Sequence, residues 1–293
     1  LIADLITVLG AAVTARTGSP FLSTALKSLG GGNISETFVL EAADGARVFV
    51  KKNQSSRREM FAAEMDGLLA LSACPALRVP QPLGVVEHGQ HVFLLLEFLE
   101  MGGRADGRTL GRAIAALHSI DAPAFGWHRD NTIGSTLQPN LQNNSWVDFF
   151  RSQRLAHQRR LLQKAGAPKR LLSAVASVEN DMDAFFDAHQ PRPSLLHGDL
   201  WSGNWSFTPD GVPALFDPAV YFGDHEADLA MMELFGNPGD DFFAEYSSLQ
   251  PIDPGYRVRR DLYNLYHILN HALLFGGGYL GQAEVMARRL LRQ

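Results

Sequence analysis

Apolar positions recur along this chain with two different periods, and sustained strand spacing is confined to its first third. In "TFVLEAADGARVFVKKN" (37–53) they alternate with polar ones on both sides of Asp44-Gly45, which predicts two strands folded at a turn dipeptide. "EHGQHVFLLLEFLE" (87–100) predicts another strand or strand pair, and "SSRREMFAAEMDGLLALSA" (55–73), between them, has helical spacing. The start, "LIADLITVLGAAVTA", reads as a first helix and not a leader, because it carries Asp4 and no preceding Lys or Arg. After Met101-Gly102-Gly103 the pattern becomes helical over 108–118, 146–162 and 170–188. The implied architecture is α+β and bilobal: a small strand-rich lobe over 1–100 and a larger helical lobe over 101–293.

Composition narrows the partners. The chain has 293 residues, enough for two lobes, with 46% hydrophobic residues, 19% charged residues and a net charge of −5. No Lys/Arg run favours nucleic acid or a membrane surface, and no apolar run approaches a membrane span. A small-molecule partner is expected. The single cysteine, Cys74, excludes an internal disulfide and a cysteine-built metal site, which suits a reducing compartment, the cytoplasm by default.

Candidate chemistry enters with "SLLHGDLWSGNW" (194–205), whose mixture of residues suits neither a helix nor a strand. The continuation "WSFTPDGVPALFDPA" reads as strand, turn and strand. Asp199 and Asn204 therefore share a loop at one end of a hairpin, and Asp217 returns to that end. Phosphoryl transfer needs such a set: one carboxylate to orient an attacking hydroxyl and accept its proton, plus an Asn and a second carboxylate to hold Mg²⁺ against phosphates.

A kinase also needs a lysine for the phosphates. Lys51 ends the strand "ARVFVK", and on the helix that follows, Glu64 shares a face with Phe61, Met65 and Leu68 while Asp66 points away. An inward acid needs a partner, and Lys51 is the nearest candidate. Upstream, "GGGNIS" (30–35), with Gly31, Gly32 and Asn33, offers backbone amides for phosphates.

These residues carry a resemblance. "GGGNISETFVL", "VFVK", "MFAAEMDGLLAL", "FGWHRDNTIGSTLQPN", "LLHGDLWSGNW", "LFDPAVYFGDHEADLAMMELFG" and "LYNLYHILNHALLFGGGYL" are similar to the fructosamine-3-kinase (ketosamine kinase) family, relatives of the aminoglycoside phosphotransferases on the protein-kinase-like fold. The resemblance implies ATP and Mg²⁺ as cofactors, Asp199 as general base, Asn204 and Asp217 as metal ligands, Lys51 on phosphate and Glu64 orienting it. It also implies that backbone groups of Glu97, Phe98 and Leu99 meet adenine. The implied reaction phosphorylates the sugar 3-hydroxyl of a ketosamine, free or protein-bound, whose product then decomposes: a deglycation activity. Some family members carry a cysteine in the glycine loop; Asn33 stands there instead, which argues against a redox switch.

On the acceptor side, Trp201 and Tyr221 are expected to wall the sugar, with Asp224, His225 and Glu226 as further candidates; Asp224 or Glu226 would meet the substrate ammonium. Asp228 reads as a helix N-cap or, by family analogy, a brace for the catalytic loop. His197 reads as structural, and His267, Asn270 and His271 read as satisfied core groups on one helix face. "GGGYLG" (276–281) matches a dinucleotide fingerprint, but it follows a helix and leaves no room for a βαβ unit. Two other readings stand beside the ketosamine kinase: a phosphotransferase acting on an aminoglycoside, choline-like or other amino alcohol, and a pseudokinase-like nucleotide-binding module. The intact Lys51, Asp199, Asn204 and Asp217 weigh against the second.

Overall fold

The computed structural model describes residues 2–30 and 34–292. Helix α1 (Ile2–Thr17) leads into a five-stranded antiparallel sheet of β1 (Ser23–Leu29), β2 (Glu36–Ala42), β3 (Arg47–Gln54), β4 (Pro82–His88) and β5 (His91–Glu97), in spatial order β1-β2-β3-β5-β4. Helix α2 (Arg58–Leu71) connects β3 to β4. The expected hairpin turns at Asp44-Gly45, and the expected strand pair turns at Gly89-Gln90. β1 had no clear sequence signal: it is an edge strand, mostly exposed, so alternation is weak.

Both faces of β5 are covered, which explains its unbroken apolar run. Phe93 and Leu95 pack with Val48, Val50 and the α1 residues Leu9 and Val13. Val92, Leu94 and Leu96 face the other way, against Phe61, Leu68 and Leu71 of α2. Because side chains alternate along β3 and Lys51 pairs with Leu94, Lys51 emerges on the α2 face.

From α3 (Gly107–His118) onward helices dominate, interrupted by two-stranded ribbons. The first ribbon pairs β6 (Asn131–Ile133) with β7 (Thr136–Gln138). The expected helix at 146–162 is α4 (Trp146–Phe149), a π-helical stretch Phe150–Leu155 and α5 (Ala156–Lys164). Within the π-helical stretch Arg154 is fully buried, and its guanidinium lies over the rings of Tyr221 and Phe149 at 4.1 and 4.7 Å. The expected helix at 170–188 stops as α6 (Lys169–Asn180) and continues as a 3₁₀ turn over Met182–Phe186.

Strand β8 (Ser194–Leu196) precedes the catalytic-type loop, and β9 (Trp205–Phe207) and β10 (Pro213–Leu215) form the expected hairpin after it. β11 (Tyr221–Gly223) returns to pair with β8. Helices α7 (Glu226–Leu234), α8 (Asp240–Leu249), α9 (Tyr256–Phe275) and α10 (Gly278–Leu290) complete the chain. Among the described residues no helix is long and apolar enough to cross a membrane.

Candidate active site

Residues 197–204 hold an irregular path because a buried acid grips their backbone. Asp228, in the first turn of α7, accepts hydrogen bonds from the His197 and Gly198 amides at 2.7 and 2.9 Å. Its own position is set by His118 Nε2 at 3.3 Å, whose Nδ1 meets the Tyr246 hydroxyl at 2.8 Å. Burial pushes the Asp228 carboxyl up, but His118 and the two amides outweigh it and hold it below its usual range. At Gly198, with φ +81°, a Cβ would stand 2.1 Å from the Ala219 carbonyl oxygen, so only glycine fits. His197 is structural: it is buried, and Nε2 reaches the Phe216 carbonyl at 3.0 Å.

The loop presents Asp199 and Asn204 together. Asn204 Nδ2 donates to the Asp199 carbonyl at 2.8 Å and to its carboxylate Oδ2 at 3.2 Å, which leaves the Asn204 amide oxygen for another partner. Burial and the neighbouring charge of Asp217 raise the Asp199 carboxyl to about 7. Asp217, at the end of the β9–β10 hairpin, adopts φ 58°, the one left-handed non-glycine residue among those described. A backbone held there needs support from its surroundings. Asn131 Nδ2 donates to the Val220 carbonyl at 2.7 Å, and Gln138 Nε2 to the Ala219 carbonyl at 3.1 Å, so the β6–β7 ribbon grips the segment directly after Asp217.

Lys51 closes the set from the sheet side. Its Nζ lies 2.6 Å from Glu64 Oε1 and 2.6 Å from Asp217 Oδ1. Burial alone would depress the ammonium, but Asp217 and Glu64 outweigh it and raise it above the ordinary lysine value. Helix α2 is fastened by the stretch just before that ribbon: Asp66 accepts from Trp127 Nε1 at 3.3 Å and lies 2.7 Å from His128 Nε2. Arg129 reaches Glu59 at 2.9 Å, also on α2. Asp66 thus points outward from the Glu64 face, but onto Trp127 and His128.

These groups line one cavity of about 620 Å³. Its lining includes Thr37, Lys51 and Glu64 from the sheet and α2, Asp199, Trp201, Asn204 and Asp217 from the loop and hairpin, β6 with Gly134, and the end of α9. Asp217 and the free oxygen of Asn204 are hard oxygen donors, the chemistry that Mg²⁺ prefers.

Several expectations need correction. Tyr221 does not wall the cavity: it is buried, stacked between Trp146 and the Arg154 guanidinium. Asp224 is fully buried and bonded to His189 Nε2 at 2.8 Å and the Tyr263 hydroxyl at 2.6 Å. Glu226 is fully buried in a two-pronged pair with Arg259, at 2.7 and 2.9 Å. His225 is buried beside His118 and Tyr246, and burial depresses its imidazole to about 4. None of the four reaches the cavity, because β11 carries the chain beneath the loop and α7 starts inside the core. His271 is corrected in the opposite direction, since it lines the cavity; Asn270 borders the cavity too but is buried and bonded to Gln158 and the Ile133 carbonyl, a satisfied core group as expected, while His267 is buried with no partner for Nδ1 among the described residues. Their spacing marked a polar stripe on α9 but not what it faced.

Gly31, Gly32 and Asn33 lie outside the described residues. Glu97 ends β5, Phe98 and Leu99 follow it, and none of the three is among the residues that line the cavity. The Glu97 carboxylate pairs with Arg78, and the Arg47 guanidinium covers the Phe98 ring at 4.3 Å.

Comparison with known proteins adds relatives of the whole chain. A family model described as fructosamine kinase matches residues 6–293. A probable ketoamine kinase of Synechocystis sp. is 43% identical over 288 residues, covering 96% of this chain and 95% of that protein. The chloroplastic protein-ribulosamine 3-kinase of Oryza sativa subsp. indica is 38% identical over 274 residues, covering 92% and 79%. Among solved structures, a candidate fructosamine-3-kinase from Haemophilus somnus 129PT superposes with a TM-score of 0.88 at 27% identity, covering 97% of each chain. The ADP-bound aminoglycoside phosphotransferase APH(2'')-Ib shares the fold, with a TM-score of 0.62 at 14% identity over 96% of this chain and 98% of that one.

Proposed function

The chain belongs to the fructosamine kinase family, and on that premise we propose that it is an ATP-dependent kinase that phosphorylates the 3-hydroxyl of ketosamines, free or protein-bound. The hydroxyl oxygen forms a bond to the γ-phosphorus of ATP, the bond from that phosphorus to the β,γ-bridging oxygen breaks, and the hydroxyl proton passes to Asp199. ADP and a ketosamine 3-phosphate result; the latter spontaneously eliminates inorganic phosphate, and hydrolysis by water then releases the amine and a 3-deoxy dicarbonyl sugar, which makes the activity deglycation.

Each residue has a part in this reading. Asp199 aligns the hydroxyl and takes its proton, and its carboxyl near 7 suits a base working at neutral pH. Asn204 and Asp217 hold Mg²⁺, which when bound neutralises charge on the phosphates. Lys51 contacts phosphate, held by Glu64, and backbone groups of Glu97, Phe98 and Leu99 meet adenine. Trp201 stacks on the sugar. Residues 1–100 form the nucleotide lobe and 101–293 the lobe that binds the acceptor. The lone Cys74 supports residence in a reducing compartment, the cytoplasm by default.

The observation that carries the reading is the convergence of Lys51, Glu64, Asp199, Asn204 and Asp217 on one cavity in a chain with family-wide similarity. Its test is ADP release with ketosamines, their parent amines, kanamycin and choline as acceptors. A ketosamine is expected to exceed kanamycin and choline by about tenfold or more in kcat/KM; a better aminoglycoside or choline substrate overturns the reading.

A further inference from the structure

One part of the cavity wall is aromatic, and it adjoins the loop that carries Asp199, where Ser202 Oγ donates to the Phe235 carbonyl at 2.6 Å. Four rings cluster there: His271 lies 4.8 Å from Phe235, 5.5 Å from Phe275 and 5.2 Å from Tyr279, centroid to centroid, and Phe275 and Tyr279 are 6.2 Å apart. All four line the cavity that contains Asp199, and Phe275 remains 55% exposed. An exposed Phe at a cavity edge is a large apolar surface left in water.

The glycine triplet after α9 builds this rim. Gly276 has φ 62°, ψ −141° and Gly277 φ 58°, ψ −133°, backbone states closed to residues with a side chain. Two in succession reverse the chain within one turn and return α10 against α9, which brings Tyr279 beside His271 and Phe275.

Charge on the wall is as telling as its shape. Among the described residues only Glu64, Asp199 and Asp217 bring carboxylates to the cavity. Lys51 engages the first and third at 2.6 Å each, which leaves Asp199 as the one cavity carboxylate without a lysine partner. His271 Nδ1 donates to the His267 carbonyl at 2.8 Å, which leaves Nε2 for another partner. The aromatic part of the wall therefore offers ring faces and one ring nitrogen, and brings no carboxylate of its own. Ring faces attract a single ammonium and pack against its apolar substituent. They cannot compensate several ammonium groups at once.

We propose that Phe235, His271, Phe275 and Tyr279 form the subsite for the amine half of the acceptor, and that it selects ketosamines of singly charged amines with apolar or aromatic substituents over polycationic ones. This rests on the ketosamine reading above and adds which ketosamines are preferred.

The test compares two synthetic acceptors in the ADP-release assay, the fructose ketosamines of benzylamine and of spermidine. The benzylamine compound is expected to give a kcat/KM about tenfold or more above the spermidine compound. The Phe275→Ala/Tyr279→Ala double variant is expected to bring that ratio to within about threefold, by raising KM for the benzylamine compound more than KM for ATP. Tyr279→Phe, which keeps the ring, is expected to keep the ratio. Phe275→Ala alone, at a solvent-facing position, serves where the double variant melts early, and is expected to lower the ratio by itself. Equal use of both acceptors, a preference for the spermidine compound, or a ratio indifferent to the ring deletions overturns the subsite while leaving the ketosamine reading intact. ADP release with neither ketosamine overturns both.

Discussion

Lys51 Nζ lies 2.6 Å from Asp217 Oδ1, across 166 residues of sequence, so the cation assigned to phosphate is bound to the carboxylate assigned to the metal. The sheet and the β9–β10 hairpin are thereby tied together across the cavity. On the proposed reading, Asp217→Ala removes both this contact and a metal ligand. Titration calorimetry with and without Mg²⁺ is expected to show no Mg²⁺-dependent strengthening of ATP binding in that variant. An unchanged Mg²⁺ dependence assigns Asp217 a structural role only.

Asp199→Asn keeps the shape of the loop and removes the proton acceptor. Turnover with a ketosamine is expected to fall by a factor on the order of 10² or more, while ATP affinity stays near that of the parent. Steady-state kinetics beside nucleotide binding separate the two. Near-parental turnover removes Asp199 from the role of base.

Asp228→Ala strips the acceptor from the His197 and Gly198 amides, which then lie buried without partners. The expected cost is about 3 kcal/mol or more of folding stability, read by chemical denaturation. Asp228→Asn, which returns one acceptor oxygen, is expected to recover part of the stability and of kcat. If both variants melt like the parent, the loop is held by something other than this acid.

A pH signature belongs to His189. Burial pulls its imidazole down, but the hydrogen bond and charge of Asp224 outweigh this, and its proton is held above the ordinary histidine value of 6.5. The folded state therefore binds that proton more tightly than the unfolded chain. The resulting stabilisation is complete below pH 6.5 and lost as pH rises through the raised folded value. His189→Gln is accordingly expected to lower Tm more at pH 5.5 than at pH 8.5, by about 2 °C or more. An equal loss at both pH values means that the ring contributes only by packing.

Trp201→Ala is expected to raise KM for a ketosamine by more than it raises KM for ATP, if the indole packs on the sugar as proposed. Equal changes in both constants remove Trp201 from the acceptor side.

What was legible in the sequence was local. Asp199, Asn204 and Asp217 lie at one end of a short hairpin, so their meeting follows from the turn between them, and Glu64 announced its direction through the apolar residues of its own helix. Asp224, His225 and Glu226 lie no farther along the chain from Asp217, yet they turn away from the cavity. Their partners, His189, Tyr263 and Arg259, come from distant elements, and no local pattern encodes those pairings. Tyr221 was misplaced for the same reason, since Trp146 and Arg154 decide its environment. The ribbons β6–β7 and β8–β11 are three residues per strand, too short for alternation to register. On α9, core and cavity faces are both lined by polar groups, so His267 and His271 look alike until tertiary packing separates them.

The ribbon that grips the carbonyls after Asp217 adjoins the Trp127–Arg129 stretch that fastens α2. The helix carrying Glu64 and the loop carrying Asp217 are consequently anchored to one neighbourhood of the chain and cannot be displaced independently. A substitution that loosens this neighbourhood is therefore expected to disturb Glu64 and Asp217 together, although it touches neither of them.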